Sequence, residues 1–172
     1  MRLFLIVCVV CLTQLLAGEV PRLLLGEDNR PHGLPGISAQ AESLSIEDLD
    51  ASMVVLVVFD LYCPACQKSA GNMKRLAEQV STAFPTVPVV GIGSGDTAFE
   101  TRKFREKFKL PFVCISDREE TVSDYYQVER TPSVIVLTKS GEGEALSEVY
   151  RNEAYLGREH INEIVTLLKE AS

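Results

Sequence analysis

Seven consecutive apolar residues, Met53-Val54-Val55-Leu56-Val57-Val58-Phe59, run without a polar break to Asp60-Leu61-Tyr62 and then Cys63-Pro64-Ala65-Cys66. A short apolar run with no alternation reads as a buried strand, covered on both faces. Beyond it Ala70, Met73, Leu76, Ala77 and Val80 recur at helical spacing, and proline suits a helix's first turn. The strand therefore passes almost directly into a helix from Pro64 to about Phe84, with Gly71 the expected place for a bend. Cys63 stands at that helix's N-terminus, where unpaired N–H groups and the helix dipole favour the nucleophilic thiolate. Two intervening residues let Cys66 reach Cys63 and close a disulfide. The junction reads as a redox site.

At 172 residues the chain can build one domain with a substantial core, and no internal repeat or low-complexity segment interrupts it. A net charge of −7 and a pI near 4.9 argue against nucleic acid as a partner. Residues 1–18 read as a cleaved secretory signal: Arg2, an apolar stretch from Leu3 to Leu16, then Ala17-Gly18. The stretch is short for a bilayer span, so membrane attachment is expected only if the segment is retained as an anchor. Neither Cys8 nor Cys11 follows the small residues that lipoprotein processing needs. Cleavage would remove both, leave Cys63, Cys66 and Cys114, and take the net charge to −8 by deleting Arg2. The expected location is secreted or periplasmic, where disulfides persist.

The domain expected over 19–172 opens with a turn-rich extension or hairpin over 19–44 that includes Leu23-Leu24-Leu25. Ser45–Leu49 reads as a helical turn. Further strands are expected at 87–92, 111–115, 133–137 and 146–150, with a turn at Lys139–Gly143 between the last two. Helices are expected from the capping box Thr97-Ala98-Phe99-Glu100 to Phe108, at 121–126, and at 158–169. Strands alternating with helices, then a hairpin and a closing helix, make an α/β layer fold with a mixed sheet.

Phe59-Asp60-Leu61-Tyr62-Cys63-Pro64-Ala65-Cys66 after a buried strand, with Thr131-Pro132 opening a later one, resembles the thioredoxin superfamily. An extra βα unit between the two motifs, and the Ser45–Leu49 lead-in, resemble its secreted redoxin branch. That branch holds the TlpA/ResA-type thiol-disulfide oxidoreductases and their alkyl hydroperoxide reductase relatives. The resemblance covers about residues 40–170 and implies a thioredoxin-like fold, a mixed central sheet flanked by helices. It implies Cys63 as nucleophile and Cys66 as the resolving thiol, a division that exposure at the helix start and burial one turn in also support. X-Pro bonds are cis only about 5–6% of the time, so the residues alone give Thr131-Pro132 as trans. The resemblance implies cis, with the Thr131 backbone offered to an extended substrate segment. Tyr62 and Pro64, flanking Cys63, complete the expected substrate-binding set. The implied substrates are protein dithiols and disulfides, with a separate redox-recycling partner and no metal or organic cofactor.

The residues depart from the family pattern in several places. Tyr62 stands where tryptophan is usual, and Val57 and Ser69 occupy two positions where an acidic residue is common, so the usual proton shuttle for Cys66 is missing. Asp60 is a candidate replacement, weighed against a solvated residue at a strand end. A permanent structural disulfide is the bland alternative. Zinc needs four ligands, and one further Cys and two distant His do not supply them. Gln67 excludes the Cys-x-x-Cys-His haem signal. A thiol peroxidase is the enzymatic rival, although the activating Thr or Ser and Pro of peroxiredoxins are replaced by Asp60 and Leu56. Its resolving partner would be Cys66 or Cys114, the latter otherwise a core residue. A redox-inert interaction module is the non-enzymatic alternative.

Three smaller features carry less. Gly91-x-Gly93-x-Gly95 reads as a strand-to-helix turn, since the dinucleotide-binding spacing is absent. The basic run Arg102–Lys109 reads as a solvated helix face, with docking of an acidic partner as its alternative. His32 and His160 read as surface residues.

Overall fold

A computed structural model describes residues 20–25, 33–139, 141 and 145–171. The expected signal segment 1–18 with Cys8 and Cys11, residues 26–31 of the extension, His32, and most of the turn at 139–143 lie outside the described residues. The elements run β1 (Leu23–Leu24), β2 (Ser43–Leu44), a 3-10 turn (Ile46–Asp48), β3 (Met53–Phe59), α1 (Pro64–Ala83), β4 (Val89–Ser94), α2 (Ala98–Phe108), β5 (Val113–Asp117), α3 (Thr121–Tyr125), β6 (Ser133–Thr138), β7 (Ser147–Asn152) and α4 (Arg158–Ala171).

β3 is central in a five-stranded sheet of order β5-β4-β3-β6-β7. It pairs in parallel with β4 and antiparallel with β6, and β4 pairs in parallel with β5. β7 closes the other edge antiparallel to β6, with a register shift at Val136/Leu137. Every residue of β3 is buried because both faces are covered. Val55, Val57 and Phe59 pack with α1, α2 and α4, whereas Val54, Leu56 and Val58 pack with β1, β2, the 3-10 turn and α3. The expected hairpin is the antiparallel pair β1-β2, Leu23 opposite Leu44, and it covers the second face. Gly71 does not break α1.

β4 and β5 begin two residues later than expected, after Pro88 and Phe112. Val87 and Phe112 are buried all the same, so their apolarity reports core packing rather than ladder pairing. α2 starts at the expected capping box: Glu100 N–H donates to Thr97 Oγ1, and Glu100 takes the Thr97 N–H at 2.9 Å. Its inner face stacks Phe104 on Phe59, ring centroids 4.3 Å apart. Gly93 allows the close approach behind this helix, because a Cβ there would run into Thr101 Oγ1. His160 is half-buried rather than a plain surface residue, its Nδ1 accepting the Gly157 N–H at 3.1 Å.

Strand register decides what surrounds the end of β3. Phe59 lies opposite Gly93 and Val58 opposite Ser133. The chain leaving β3 therefore emerges between the β4-to-α2 turn and the segment that enters β6. On the first side Asp96, only 2% exposed, accepts the Leu61 N–H through both carboxylate oxygens, at 3.0 and 3.3 Å. Burial pushes the Asp96 carboxyl up to about 7; the Leu61 hydrogen bond opposes this, and the Asp60 and Glu100 charges add to it.

Two stability measurements follow. Phe104→Ala removes one ring of the stack and should cost about 3–5 kcal/mol, read as a lower denaturation midpoint with unchanged slope. Folding raises Asp96 above its unfolded value, so its protonation favours the native state below the unfolded value, and that stability is lost as pH rises through about 7. Asp96→Asn should therefore flatten the fall in unfolding free energy between about pH 4 and 7, by on the order of a few kcal/mol. Parallel pH profiles for the two proteins would contradict this.

Candidate active site: the β3–α1 junction

Cys63 is the N-cap of α1, and its Sγ accepts the Cys66 N–H at 3.2 Å. This sulfur stands where a capping Ser or Asp oxygen would stand, satisfying an N–H of the first turn and facing the positive end of the helix dipole. Pro64 fills the first helical position, where its missing N–H costs nothing. The loop before Cys63 is tied down residue by residue. Asp60 accepts the N–H groups of Tyr62 and Cys63, the latter at 3.2 Å. It is therefore a loop clamp and not simply a solvated strand end. Leu61 is held by Asp96 through its N–H, and its carbonyl accepts from Gln67 Nε2 at 2.8 Å.

The second side of the junction is the turn into β6. The Thr131-Pro132 peptide bond is cis, against what the residues alone suggest and as the family resemblance implies. The Cys63 thiol donates to the Thr131 carbonyl at 3.3 Å. Cys63, Pro64, Cys66, Thr131 and Pro132 are thus brought to one place. Tyr62 lies beside them, 70% exposed, its hydroxyl donating to Glu100 at 2.8 Å.

The two thiols differ sharply. Cys63 is partly exposed. Burial pushes its thiol up, but the Cys66 and Thr131 side chains and the Cys66 and Ala65 N–H groups outweigh it, and the net shift is downward. Cys66 is buried. Burial first, and then its hydrogen bond to Cys63, push its thiol up to about 12. The site thus favours the thiolate at Cys63 relative to a free cysteine and disfavours it at Cys66.

The remaining candidates resolve differently. Ser69, at a position where an acidic residue is common, is buried and accepts the Leu156 N–H at 3.1 Å, tying α1 to the approach of α4. Val57 is in the core. Cys114 sits in β5, packed against Gly91 and buried, with its thiol also pushed up to about 12. Among the described residues no three His, Cys, Asp or Glu side chains are grouped to hold a metal. Sequence reasoning passed over Asp96. The available signal was an acidic residue just past the C-terminal end of a buried parallel strand, where sites gather in α/β sheets.

Similarity to known proteins accords with this geometry. The AhpC/TSA family matches residues 32–145. The thiol-disulfide oxidoreductase ResA of Halalkalibacterium halodurans is 22% identical over 60% of this chain and 57% of its own length. A putative peroxiredoxin bcp of Coxiella burnetii is 34% identical over 52% of this chain and 58% of its own. The matched region thus spans less than three-fifths of either relative. Among solved structures, a secreted Mycobacterium tuberculosis disulfide oxidoreductase homologous to Escherichia coli DsbE superposes with a TM-score of 0.58. That comparison covers 83% of this chain and 99% of the other at 18% identity, and it speaks to the fold. With a family match over more than half its length, enclosing both cysteines and the cis peptide on a thioredoxin-like sheet, the chain belongs to the AhpC/TSA family.

Proposed function

We propose that the protein is a thiol-disulfide oxidoreductase that exchanges disulfides with protein substrates outside the cytoplasm, through Cys63 and Cys66. The observation that carries this reading is the placement of the two sulfurs: partly exposed Cys63 caps α1 and accepts the Cys66 N–H at 3.2 Å, while Cys66 is buried one turn in. The apolar segment at 1–18 supports the location. The relatedness to ResA supports the reaction class.

The chemistry follows from the positions. The Cys63 thiolate attacks one sulfur of a substrate disulfide; that S–S bond breaks and the other substrate sulfur leaves as a thiolate. A mixed disulfide now joins Cys63 to the substrate. The departed thiolate takes the Cys66 proton, directly or through water, and Cys66 displaces the substrate from Cys63. Products are the Cys63–Cys66 disulfide and a reduced substrate, two electrons having moved from protein to substrate. A dithiol partner then restores the pair, or the same steps run in reverse. A high Cys66 pKa keeps it from competing with Cys63 for substrate before the mixed disulfide forms. An extended segment around the substrate sulfur would pair with the Thr131 backbone, a role supported by the contact of its carbonyl with Cys63.

Relatedness to a putative peroxiredoxin favours a second reading, a thiol peroxidase in which Cys63 attacks the peroxide oxygen. Asp60 and Leu56 in the places of the activating residues weigh against it. Both readings are tested with three proteins. Reduction of insulin disulfides by the wild type, with dithiothreitol as electron source, should fall on the order of a hundredfold or more in Cys63→Ser. With dithiothreitol removed, pre-reduced Cys66→Ser should accumulate a covalent adduct at Cys63, seen as the added mass of the substrate chain. Rapid Cys63-dependent consumption of hydrogen peroxide, with insulin reduction no faster than dithiothreitol alone, would replace the first reading with the second.

A further inference from the structure

The basic stretch along α2 takes no part in the thiol chemistry, yet it borders the nucleophile. Residues 98–109 hold Arg102, Lys103, Arg105, Lys107 and Lys109 against Glu100 and Glu106, a surplus of three positive charges in a chain whose total is −7. Thr101 and Phe104 are the residues this helix buries, so its apolar side faces the core and the cations stay outside. Its two carboxylates are already engaged. Glu100 holds Thr97 and Tyr62. Glu106 stands between two cations, 4.0 Å from Arg102 and 3.6 Å from Lys103.

Phe99, 55% exposed, carries Arg102 and Lys103 over its ring at 5.6 and 5.3 Å. Such stacking holds the cationic heads at the surface beside an apolar ring, a pairing suited to polypeptide carrying both acidic and apolar side chains. Two hydrogen bonds join this face to the reactive junction. Tyr62, the neighbour of Cys63, donates to Glu100, the neighbour of Phe99. Lys107 donates to Gln67 Oε1 at 3.2 Å, one residue past Cys66. The surface therefore runs from Cys63 through Tyr62 to Phe99 and its cations without leaving the α2 side.

We infer that this face docks an acidic segment of the protein with which Cys63 and Cys66 exchange disulfides. The inference rests on the oxidoreductase reading for its chemistry and on charge complementarity for its partner. The cations over Phe99 attract an acidic segment although the chain as a whole repels it. The Tyr62–Glu100 bond links them to the Cys63 loop, whose own charges are the carboxylates Asp60 and Asp96. The patch thus supplies orientation as well as attraction.

The test separates binding from exchange. Fluorescence anisotropy is read on the Cys63→Ser chain with two labelled peptides of equal length that contain no cysteine, one Asp/Glu-rich and one Lys-rich. At about 20 mM salt the acidic peptide should bind at least about tenfold tighter than the basic one, and the preference should fade by about 300 mM. Adding Arg102→Gln and Lys103→Gln should abolish the preference. Adding Lys74→Gln and Lys169→Gln, the same change of charge on α1 and α4, should leave it. Tighter binding of the Lys-rich peptide, as the total charge alone dictates, would overturn the inference. So would equal losses from the two double variants, or equally tight binding of a single-stranded oligonucleotide. Because neither peptide holds a disulfide, failure here leaves the exchange reading intact, and failure of insulin reduction leaves the docking result intact.

Discussion

One hydrogen bond organises the site: the Cys66 N–H donated to Cys63 Sγ across the first turn of α1. It makes the sulfur part of the helix's own termination, so the N–H groups that any helix leaves unpaired become the groups that stabilise a thiolate. Cys66, three residues further along and inside the first turn, does not share that benefit. Its sulfur is enclosed by the core and gains its proton's company instead of the dipole's. An asymmetric thiol pair is thus the direct result of putting Cys-x-x-Cys on a helix start rather than within a helix or loop.

Holding that arrangement is the work of the sheet. β3 is flanked by β4 on one side and β6 on the other, and the registers Phe59–Gly93 and Val58–Ser133 deliver two different loops to its end. One loop brings a buried carboxylate, Asp96, that fixes the peptide of Leu61. The other brings the Thr131 carbonyl to the sulfur. Neither loop is near Cys63 in sequence. The extra β5-α3 unit extends the sheet beyond β4, and Asp117 at its end accepts the Val122 and Ser123 N–H groups that start α3. That unit buttresses the strand from which Asp96 hangs.

Much of this was legible in the residues, for identifiable reasons. A seven-residue apolar run cannot be satisfied on a half-exposed sheet, which marked β3 as a buried strand before any pairing was known. Thr97 and Glu100 announced α2 because a capping box is local chemistry. β4 and β5 were misplaced by two residues because Val87 and Phe112 are apolar for the core without joining a ladder. The cis bond carries no local signal, since Thr-Pro accepts either form; only family resemblance indicated it. Asp96 was passed over because a carboxylate in Gly-Ser-Gly-Asp-Thr looks like any solvated turn residue. Its burial is created by the 60–63 loop, thirty-odd positions earlier in the chain. Asp60 was misjudged for the same reason: its two N–H partners come from how Tyr62 and Cys63 fold back on it.

The central claim is that the helix start makes Cys63 the more acidic thiol and leaves its neighbour protonated. The most direct measurement is the rate of iodoacetamide alkylation at each cysteine of the reduced protein as a function of pH, assigned by peptide mass. The account predicts a Cys63 rate whose midpoint lies below that of free cysteine, about 8.5, while Cys66 stays unreactive through the same range. A Cys63 midpoint at or above the free value, or Cys66 alkylated first, would contradict it.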